Sequence, residues 1–467
     1  MSDVENYVKI AIKNLNRVDK LLKSQKFEET EEIINSSLDI LKDSPEKIKY
    51  AEACFYNAEL KRMKRNYHEA ANFYIEAAKI YSESLISELT ASMLKEAIKC
   101  YQETEDITNL KTNIDEAIKI ARPVCYKQDF ATILTTAGNI MFKKKNWNDS
   151  IMYLLQAAEL GGNALKGIEQ IYYTISICFF QLCKWIDSIL NGKIVLGFTD
   201  ISRNPSLIVL QTILISKAYM RLFDYDNAVY YSSKAAEYFD RFMDIQFVDA
   251  LINHLEINYF FKKISYASKT AEKYLETIER LKYFSVLPEL LLWMGRIEAE
   301  VNIDNAINYL NEAIERSKEF NNMKIEQAAS MEIAKILISY GRISEATELM
   351  EKYESLANRS DNSEIKAEFY EKKGLLEYIM RNYENALVSF QNSSRYYHEI
   401  GNLYEEINAL YNCACIYSIL NNERELYPLL QRIVNIDIRF AAMARADPDF
   451  ASRYNDPDFV SIVGEQQ

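Results

Sequence analysis

The sequence predicts an all-α fold built from repeated helical hairpins, and two columns of residues that recur about every 40 positions carry this prediction. The first column is apolar at every place except the last: Phe27, Tyr67, Ile107, Trp147, Trp185, Tyr225, Ile264, Ile303, Ile343, Tyr383 and Glu423. The second column follows three residues later: Thr30, Ala70, Leu110, Ser150, Ser188, Ala228, Ala267, Ala306, Ala346, Ala386 and Leu426. Register kept along a whole chain is typical of a repeat array, in which each unit packs on its neighbours.

Composition favours helices over strands and turns. The chain has 467 residues, of which only 11 are glycine and 7 are proline. No proline occurs from residue 289 to residue 427. Because proline and glycine interrupt helices, their scarcity indicates long helical segments with short connections.

The best copies of the unit show how two helices form from it. In residues 133–158, apolar residues stand three and four apart on both sides of a short polar break at 143–146. This spacing places the apolar residues of each segment on one face of a helix. The unit is therefore predicted to be a hairpin of two amphipathic helices.

Two further columns of small residues mark where the helices should cross. Small residues stand about twelve positions before the second column: Ala58, Gly138, Ser176, Ser216, Gly295, Ala334, Gly374 and Ala414. Others follow the second column by seven: Ser37, Ala77, Ala117, Ala157, Ala235, Ala313 and Ser393. A glycine inside a helix costs roughly 0.5–1 kcal/mol relative to alanine. Close approach of neighbouring helices is the best reason to tolerate that cost.

Over roughly residues 10–440 this pattern resembles the tetratricopeptide repeat (TPR), and the resemblance is most specific in 66–71, 224–228 and 382–387. It implies a right-handed α-α superhelix, a TPR solenoid of about eleven helical hairpins. The common TPR unit has about 34 residues. The longer spacing here is similar to that of SNAP-type adaptors and long-repeat TPR scaffolds.

We predict three segments. Residues 1–200 and 201–440 are TPR-like helical repeats, continuous with each other, with a soft boundary near the glycines and proline of 191–205. Residues 441–467 form a capping tail that repeats an Asp-Pro-Asp-Phe phrase at 447–450 and 456–459. In the tail we expect Phe450 and Phe459 to pack inward and the aspartates to face solvent.

Charge, cysteine content and hydropathy argue against several classes of protein. The net charge of −13 argues against a nucleic-acid partner, and the lysine run 143–145 is interpreted as a solvated turn. The seven cysteines are odd in number and lack metal-site spacing, which favours small core residues in a reducing compartment. The sequence has no apolar signal core and no stretch long enough for membrane insertion, so a cytoplasmic protein is predicted.

The sequence lacks recognisable catalytic or metal-binding motifs. The three histidines, at 68, 254 and 398, have no zinc-site or di-iron spacing, and no phosphate-binding loop or nucleophile elbow occurs. The Asp-Pro-Asp-Phe aspartates lack the alternating spacing of a calcium loop. We therefore expect no enzyme activity, no cofactor and no metal.

The resemblance to TPR proteins implies that the first helices line a concave surface, where ligands bind. The outward positions in the middle units are Asn139, Lys143, Tyr173, Phe180, Lys217, Met220, Arg221, Tyr259 and Arg296. Aromatic rings beside cations would suit an amphipathic helix or an extended peptide with acidic groups. The alternative is that several of these rings contact the next turn of the superhelix or a second subunit in a homodimer.

The leading hypothesis is a non-catalytic scaffold or adaptor that binds a protein or peptide partner in its concave groove. The alternatives are a ligand- or peptide-sensing regulatory protein and a SNAP-type adaptor for coiled coils. Chaperone-tail binders of the TPR family grip a terminal carboxylate with a lysine and an asparagine one helical turn apart. Thr135 stands at the required site before Asn139, so this use is disfavoured.

Overall fold

The computed structural model describes residues 2–104, 107–199 and 203–464, and every regular element in these residues is helical. Twenty-two helices of this part of the chain follow one another as eleven consecutive pairs, each joined by a short turn, as predicted. The pairs are α1 (Ser2–Lys23) and α2 (Phe27–Lys42), α3 (Lys47–Met63) and α4 (Tyr67–Glu83), α5 (Ser87–Thr104) and α6 (Ile107–Ala121), α7 (Lys127–Lys143) and α8 (Trp147–Gly161), α9 (Ile168–Gln181) and α10 (Trp185–Phe198), α11 (Pro205–Arg221) and α12 (Tyr225–Phe242), α13 (Val248–Phe260) and α14 (Ile264–Leu281), α15 (Leu287–Glu298) and α16 (Ile303–Glu319), α17 (Met323–Ser339) and α18 (Ile343–Arg359), α19 (Ser363–Ile379) and α20 (Tyr383–Ile400), and α21 (Leu403–Ile419) and α22 (Glu423–Ile436). Two short helices follow, α23 (Arg439–Ala446) and α24 (Pro457–Val463), and short 3₁₀ segments include Pro448–Arg453 between them.

The helices form two compact units, Met1–Cys178 and Phe179–Gln467. The division falls inside α9, ahead of the soft boundary predicted near residue 200. Residues 200–202, on which that predicted boundary lies, are outside the described residues. The superhelical handedness implied by the TPR resemblance stays a prediction.

The hairpin turns explain the spacing of the first column. Each first-column residue is the first residue of a second helix, from Phe27 in α2 to Glu423 in α22. In the turn before α4, Arg65 adopts a left-handed conformation (φ 61°), and the Asn66 amide donates to the Lys61 carbonyl across 2.9 Å. The Asn66 side chain then accepts from the amide of Glu69 and caps the new helix. This turn reverses the chain in a few residues.

The second-column residues, rather than the first-column residues at the turns, form the seam of each hairpin, which is the line of contact between its two helices. All eleven of its residues are at most 1% exposed. The first column is uneven, because Trp185 is buried whereas Ile107 and Ile343 are exposed. The first-column side chains therefore cover the edge of a seam, and the smaller second-column residues fill that seam.

The glycines inside first helices allow the close approach that their column predicts. A Cβ atom added at Gly138 would lie 2.5 Å from Cγ of Leu154. At Gly295 it would lie 2.6 Å from Cδ2 of Leu310. These distances are too short for real carbon atoms, so only glycine fits against the facing second helix.

The C-terminal tail packs on the last hairpin through its two phenylalanines. Phe450 and Phe459 are almost fully buried, and their ring centroids lie 5.5 Å apart, which confirms the expected inward packing. The expectation that the preceding aspartates face solvent is wrong for Asp447 and Asp449. Both are half-buried, because tyrosine hydroxyls of the repeats donate to their carboxylates.

None of the helices in the described ranges is long and apolar enough to cross a membrane.

Candidate binding cavity

A cavity of about 650 Å³ lies within the second unit, enclosed by the first helices of successive hairpins. Helices α11, α13, α15, α17 and α19 each contribute several residues to its wall, and α21 contributes Glu405. The residues come from the same face of each helix because they are spaced at i, i+3 or i+4, and i+7.

Helix α13 shows how the sequence sets this orientation. Asp249, Ile252, Asn253 and Glu256 line the cavity at i, i+3, i+4 and i+7. Leu251, on the opposite side of the helix, is fully buried in the core between hairpins. Burial of one face therefore turns the other face toward the cavity.

Carboxylates outnumber cations in the wall. Seven carboxylates face four cationic side chains, an excess of three negative charges. The carboxylates belong to Asp249, Glu256, Glu289, Glu364, Glu368, Glu371 and Glu405, and the cations to Lys217, Arg296, Lys324 and Lys372. Apolar side chains share the wall: Leu210, Ile213, Ile252, Leu292, Trp293, Ile325, Ala328 and Met331.

Each lysine of the wall is already paired with a carboxylate. Lys217 lies 3.1 Å from Glu256. Lys324 lies 3.0 Å from both Glu364 and Glu368. These ion pairs occupy cations that would otherwise attract an anionic ligand.

Lys372 and Glu371 form a further pair, 3.0 Å apart. Burial opposes ionisation of Glu371, but Lys372 and a hydrogen bond from the Tyr397 hydroxyl (2.8 Å) outweigh it. The pKa of Glu371 is therefore held below its usual value. This carboxylate therefore favours its charged form and is already bound by Lys372 and Tyr397.

Arg296 is also committed within the wall. Its Nε donates to Glu332 at 2.9 Å, and its guanidinium lies 4.8 Å from the centroid of the Trp293 ring. The Tyr259 ring packs 5.9 Å from the same indole. A cation held by both a carboxylate and an aromatic face is oriented rather than free.

Asp249 and Glu289, by contrast, form no hydrogen bond or ion pair with the described residues. Glu289 is half-buried, and burial together with the nearby charge of Asp249 raises its pKa above the usual value. Glu368 likewise has a raised pKa because burial opposes its charge, although Lys324 partly compensates. Lys324 and Lys217 thus offset only part of the charge repulsion and partial desolvation on this side of the cavity.

Two buried amides of the wall keep an oxygen without a hydrogen-bond partner, those of Asn253 and Gln327. The Asn253 amide nitrogen donates to Ser216 Oγ, whose own proton goes to the Ile213 carbonyl. The Gln327 amide nitrogen donates to the Ile365 carbonyl. Because these partners can only accept, the orientation of both amides is fixed and the unpartnered atoms are acceptors.

Helices distant in sequence meet beside the cavity at Arg221 and Glu405. The guanidinium of Arg221 lies 2.9 Å from Glu405 and 3.9 Å from the centroid of the Tyr404 ring. The Tyr404 ring packs edge-on at 5.4 Å against Trp185. We call Trp185, Arg221, Tyr404 and Glu405 the closure cluster, since they join α10 and α11 to α21 within the second unit.

The structure separates the nine predicted ligand contacts. Lys217 and Arg296 lie in the cavity wall, and Arg221 pairs with a wall residue. Phe180 packs 4.9 Å from Trp185, and Tyr259 packs on Trp293, so both rings make contacts within the array.

The remaining predicted contacts are not part of this cavity. Asn139 and Lys143 are exposed on α7, and burial raises the pKa of the half-buried Tyr173 on α9. The prediction of an outward position for Met220 is wrong. Met220 is 3% exposed and packs in the core against Ala228 and Ile257, because it lies on the face of α11 that meets the next hairpins.

Sequence reasoning missed the carboxylates of the wall. The predicted outward positions Lys217 and Arg296 stand in the C-terminal halves of their helices, but Asp249, Glu289 and Glu364 stand in the first turns of theirs. Each begins a cavity-facing stripe seven residues before Glu256, Arg296 and Glu371, respectively. For Glu289, the i, i+7 relation to the predicted outward residue Arg296 was the signal available in the sequence.

Cys415, Asp447 and Asp449 also lie close together, near the tail. Tyr411 donates to Asp447 at 2.9 Å, and Tyr378 donates to Asp449 at 2.7 Å. Burial and the two carboxylates raise the pKa of the Cys415 thiol well above its usual value, which favours the protonated form. This cluster is explained as the hydrogen-bonded anchor of the tail.

No protein-family model and no curated protein matches the chain. Among solved structures, the chain is similar to the apo form of the quorum sensor NprR from B. thuringiensis, with 15% identity over 93% of this chain and 99% of that one and a TM-score of 0.43. It is also similar to a Rap protein complexed with competence and sporulation factor (13% identity, 84% of this chain, 98% of that one, TM-score 0.41). A third similar structure is the Rap conjugation gene regulator of plasmid pLS20 in complex with the Phr* peptide (14%, 74% and 97%, TM-score 0.38). With each TM-score below 0.5, the function must be argued from the geometry of this chain.

Proposed function

We propose that this chain is a non-catalytic adaptor that binds a peptide, or an extended segment of a partner protein, in the cavity of its second unit. The observation that carries the proposal is the cavity itself, about 650 Å³ in volume and lined by the first helices of successive hairpins. That volume lies within the usual range of ligand sites, roughly 300–1,000 Å³. Its mixture of apolar and charged side chains suits a ligand that alternates in polarity, as an extended peptide does.

The lining residues favour binding over catalysis. The part of the wall that is described contains no serine, threonine, cysteine or histidine, so its acids and bases are carboxylates, lysines and Tyr397. Most of its charged groups are already engaged in ion pairs with one another. Such groups can position a ligand, but they are poorly placed to react with it.

A selection experiment tests the proposal directly. Random peptides displayed on phage would be selected on the full chain and then tested on Leu210→Trp/Ala328→Trp, which fills the cavity from two helices. Leu210 is exposed and Ala328 half-buried, so the added rings can project into the cavity. Val301→Trp/Val388→Trp is the matched control, because both valines are exposed outside the cavity.

We expect selected peptides to bind the full chain and the control variant but to lose binding to the cavity-filled variant. Far-ultraviolet circular dichroism would verify that all three proteins are equally helical. If selected peptides bind the cavity-filled variant as tightly as the unaltered chain, the proposed site is wrong.

A second candidate function, a ligand-sensing regulator, is favoured by one observation. Glu405 both lines the cavity and pairs with Arg221 of the closure cluster. A ligand that engages Glu405 would therefore compete with the contact between α11 and α21. Amide hydrogen exchange of α10, α11 and α21, measured with and without a selected peptide, tests this second function. If the peptide leaves the exchange rates of these helices unchanged, the sensing function is wrong and the adaptor function stands.

A further inference from the structure

We propose that the cavity selects a cationic, hydrogen-bond-donating segment, namely a peptide that presents lysine or arginine side chains next to apolar ones. This inference rests on the proposed function and specifies its ligand. It reverses the acidic peptide expected from the sequence, where only the cations of the groove had been identified.

The charge that remains in the wall after ion pairing favours a cationic ligand. The four cations of the wall are each held by a carboxylate, as in the pairs of Lys217 with Glu256 and of Arg296 with Glu332. Asp249 and Glu289 have no such partner among the described residues. An anionic ligand would have to displace existing ion pairs and approach an excess of negative charge, whereas a cation would meet carboxylates that are free.

The hydrogen-bonding groups of the wall, independently of its net charge, favour a ligand that donates. The buried polar atoms of the wall that lack a partner are the amide oxygens of Asn253 and Gln327, both acceptors. Buried acceptors without partners are unfavourable, and a ligand donor that reached them through a small movement of the wall side chains would relieve them. Ammonium and guanidinium groups carry several donors and no acceptor.

The apolar part of the wall favours a peptide over a free polyamine. Ile252 stands beside Asp249 on α13, and Leu292 follows Glu289 by one turn on α15. Carboxylates and aliphatic side chains therefore alternate along the helices. The methylene stem of a lysine or arginine can cover apolar surface while its charged head reaches a carboxylate. A free polyamine offers the charge but no branched apolar side chain.

Binding of a cation should also be linked to pH. Glu289 and Glu368 have raised pKa values, so they become protonated at a higher pH than an ordinary glutamate. A cationic ligand binds the ionised forms, so its binding should lower both pKa values. Affinity should accordingly fall on acidification, starting above the pH at which exposed carboxylates titrate.

The test uses three probes in isothermal titration calorimetry with the full chain. The probes are a hexapeptide of alternating lysine and leucine, the same peptide with glutamate in place of lysine, and spermine. The cavity variant is Asp249→Asn/Glu289→Gln. The control variant, Asp226→Asn/Glu276→Gln, removes the same charge from exposed positions on second helices.

We expect the lysine peptide to bind the full chain and the control variant, and to bind the cavity variant on the order of tenfold or more weakly. Raising the salt concentration should weaken binding, and the glutamate peptide should not bind. Equal weakening by the two variants, or tighter binding of the glutamate peptide, overturns the inference.

The outcomes also separate this inference from the proposed function. If phage-selected peptides bind in the cavity but carry no excess of lysine or arginine, the inference fails while the proposed function stands. If spermine binds as tightly as the lysine peptide, and Asp249→Asn/Glu289→Gln weakens both, the site is a polyamine site and the peptide assignment fails.

Discussion

The hairpin seams and the cavity wall are built from the same repeat of about 40 residues. Residue types recur strictly from repeat to repeat in the seams, whereas they vary in the cavity wall. Second-column positions, such as Ala306 and Ala386, are buried and mostly small. Positions that begin the cavity-facing stripes vary from Leu210 to Asp249 to Lys324. Close packing allows few solutions, so the seam repeats; the wall is free of that constraint, so its residues can differ and carry specificity.

The two regions should therefore respond in opposite ways to substitution. Changes in the seam should lower stability with no direct effect on a ligand, and changes in the wall should alter binding with little cost in stability.

The largest effect is expected at Phe390, in the seam between α19 and α20. Its side chain is 1% exposed and packs against Gly374 and Ala386. Phe390→Ala should lower the free energy of unfolding by about 3–5 kcal/mol, because it leaves a cavity in a packed core. Urea denaturation followed by circular dichroism would measure it. An exposed control on the same helix, Val388→Ala, should change stability by less than about 0.5 kcal/mol.

Overpacking the same seam should have a smaller effect. A Cβ atom at Gly374 would lie 2.8 Å from the Phe390 ring, so Gly374→Ala should cost about 1–3 kcal/mol despite the better helix propensity of alanine. Adding Phe390→Leu should recover part of the loss by making room. If Gly374→Ala stabilises the protein, the close-packing explanation of the glycine column is wrong.

Substitutions in the closure cluster should change stability by an amount between those expected for the seam and for the wall. Arg221→Ala removes an ion pair with Glu405 and a cation–π contact with Tyr404, and we expect a loss of about 1–2 kcal/mol. A double-mutant cycle with Tyr404→Leu would isolate the coupling between the two side chains. Arg241→Ala, at an exposed arginine over Phe242, is the control and should be nearly neutral.

The smallest effect is expected in the wall, at Glu289. Because its pKa is raised in the folded protein, its protonated form contributes stability that is complete below the unfolded pKa and lost as pH rises through the folded pKa. Glu289→Gln should therefore be more stable than the unaltered chain at pH 7, by less than about 1 kcal/mol. The difference should disappear near pH 4, in thermal melts recorded across that range. A destabilised Glu289→Gln at pH 7 would mean that the carboxylate has a partner in solution.

Much of the fold could be predicted from sequence because packing repeats. The first column located the start of every second helix in the hairpins, and Gly138, Gly295 and Gly374 located close contacts. The site was predicted less well, since an outward position in one repeat need not be outward in the whole array. Met220 became core because the next hairpins cover it, and Arg221 was engaged by Glu405, 184 residues away.

The sequence by itself determined the helices, their pairing and the residues of the seam, because these depend on contacts between neighbours in the chain and on side-chain periodicity. Only the tertiary structure decided which stripes face one another across the cavity and which charges are paired there. Lys217 and Arg296 are cations in the sequence, but their partners Glu256 and Glu332 lie on the following first helices. Whether a charge is free to bind a ligand depends on distances between helices, which no local pattern contains.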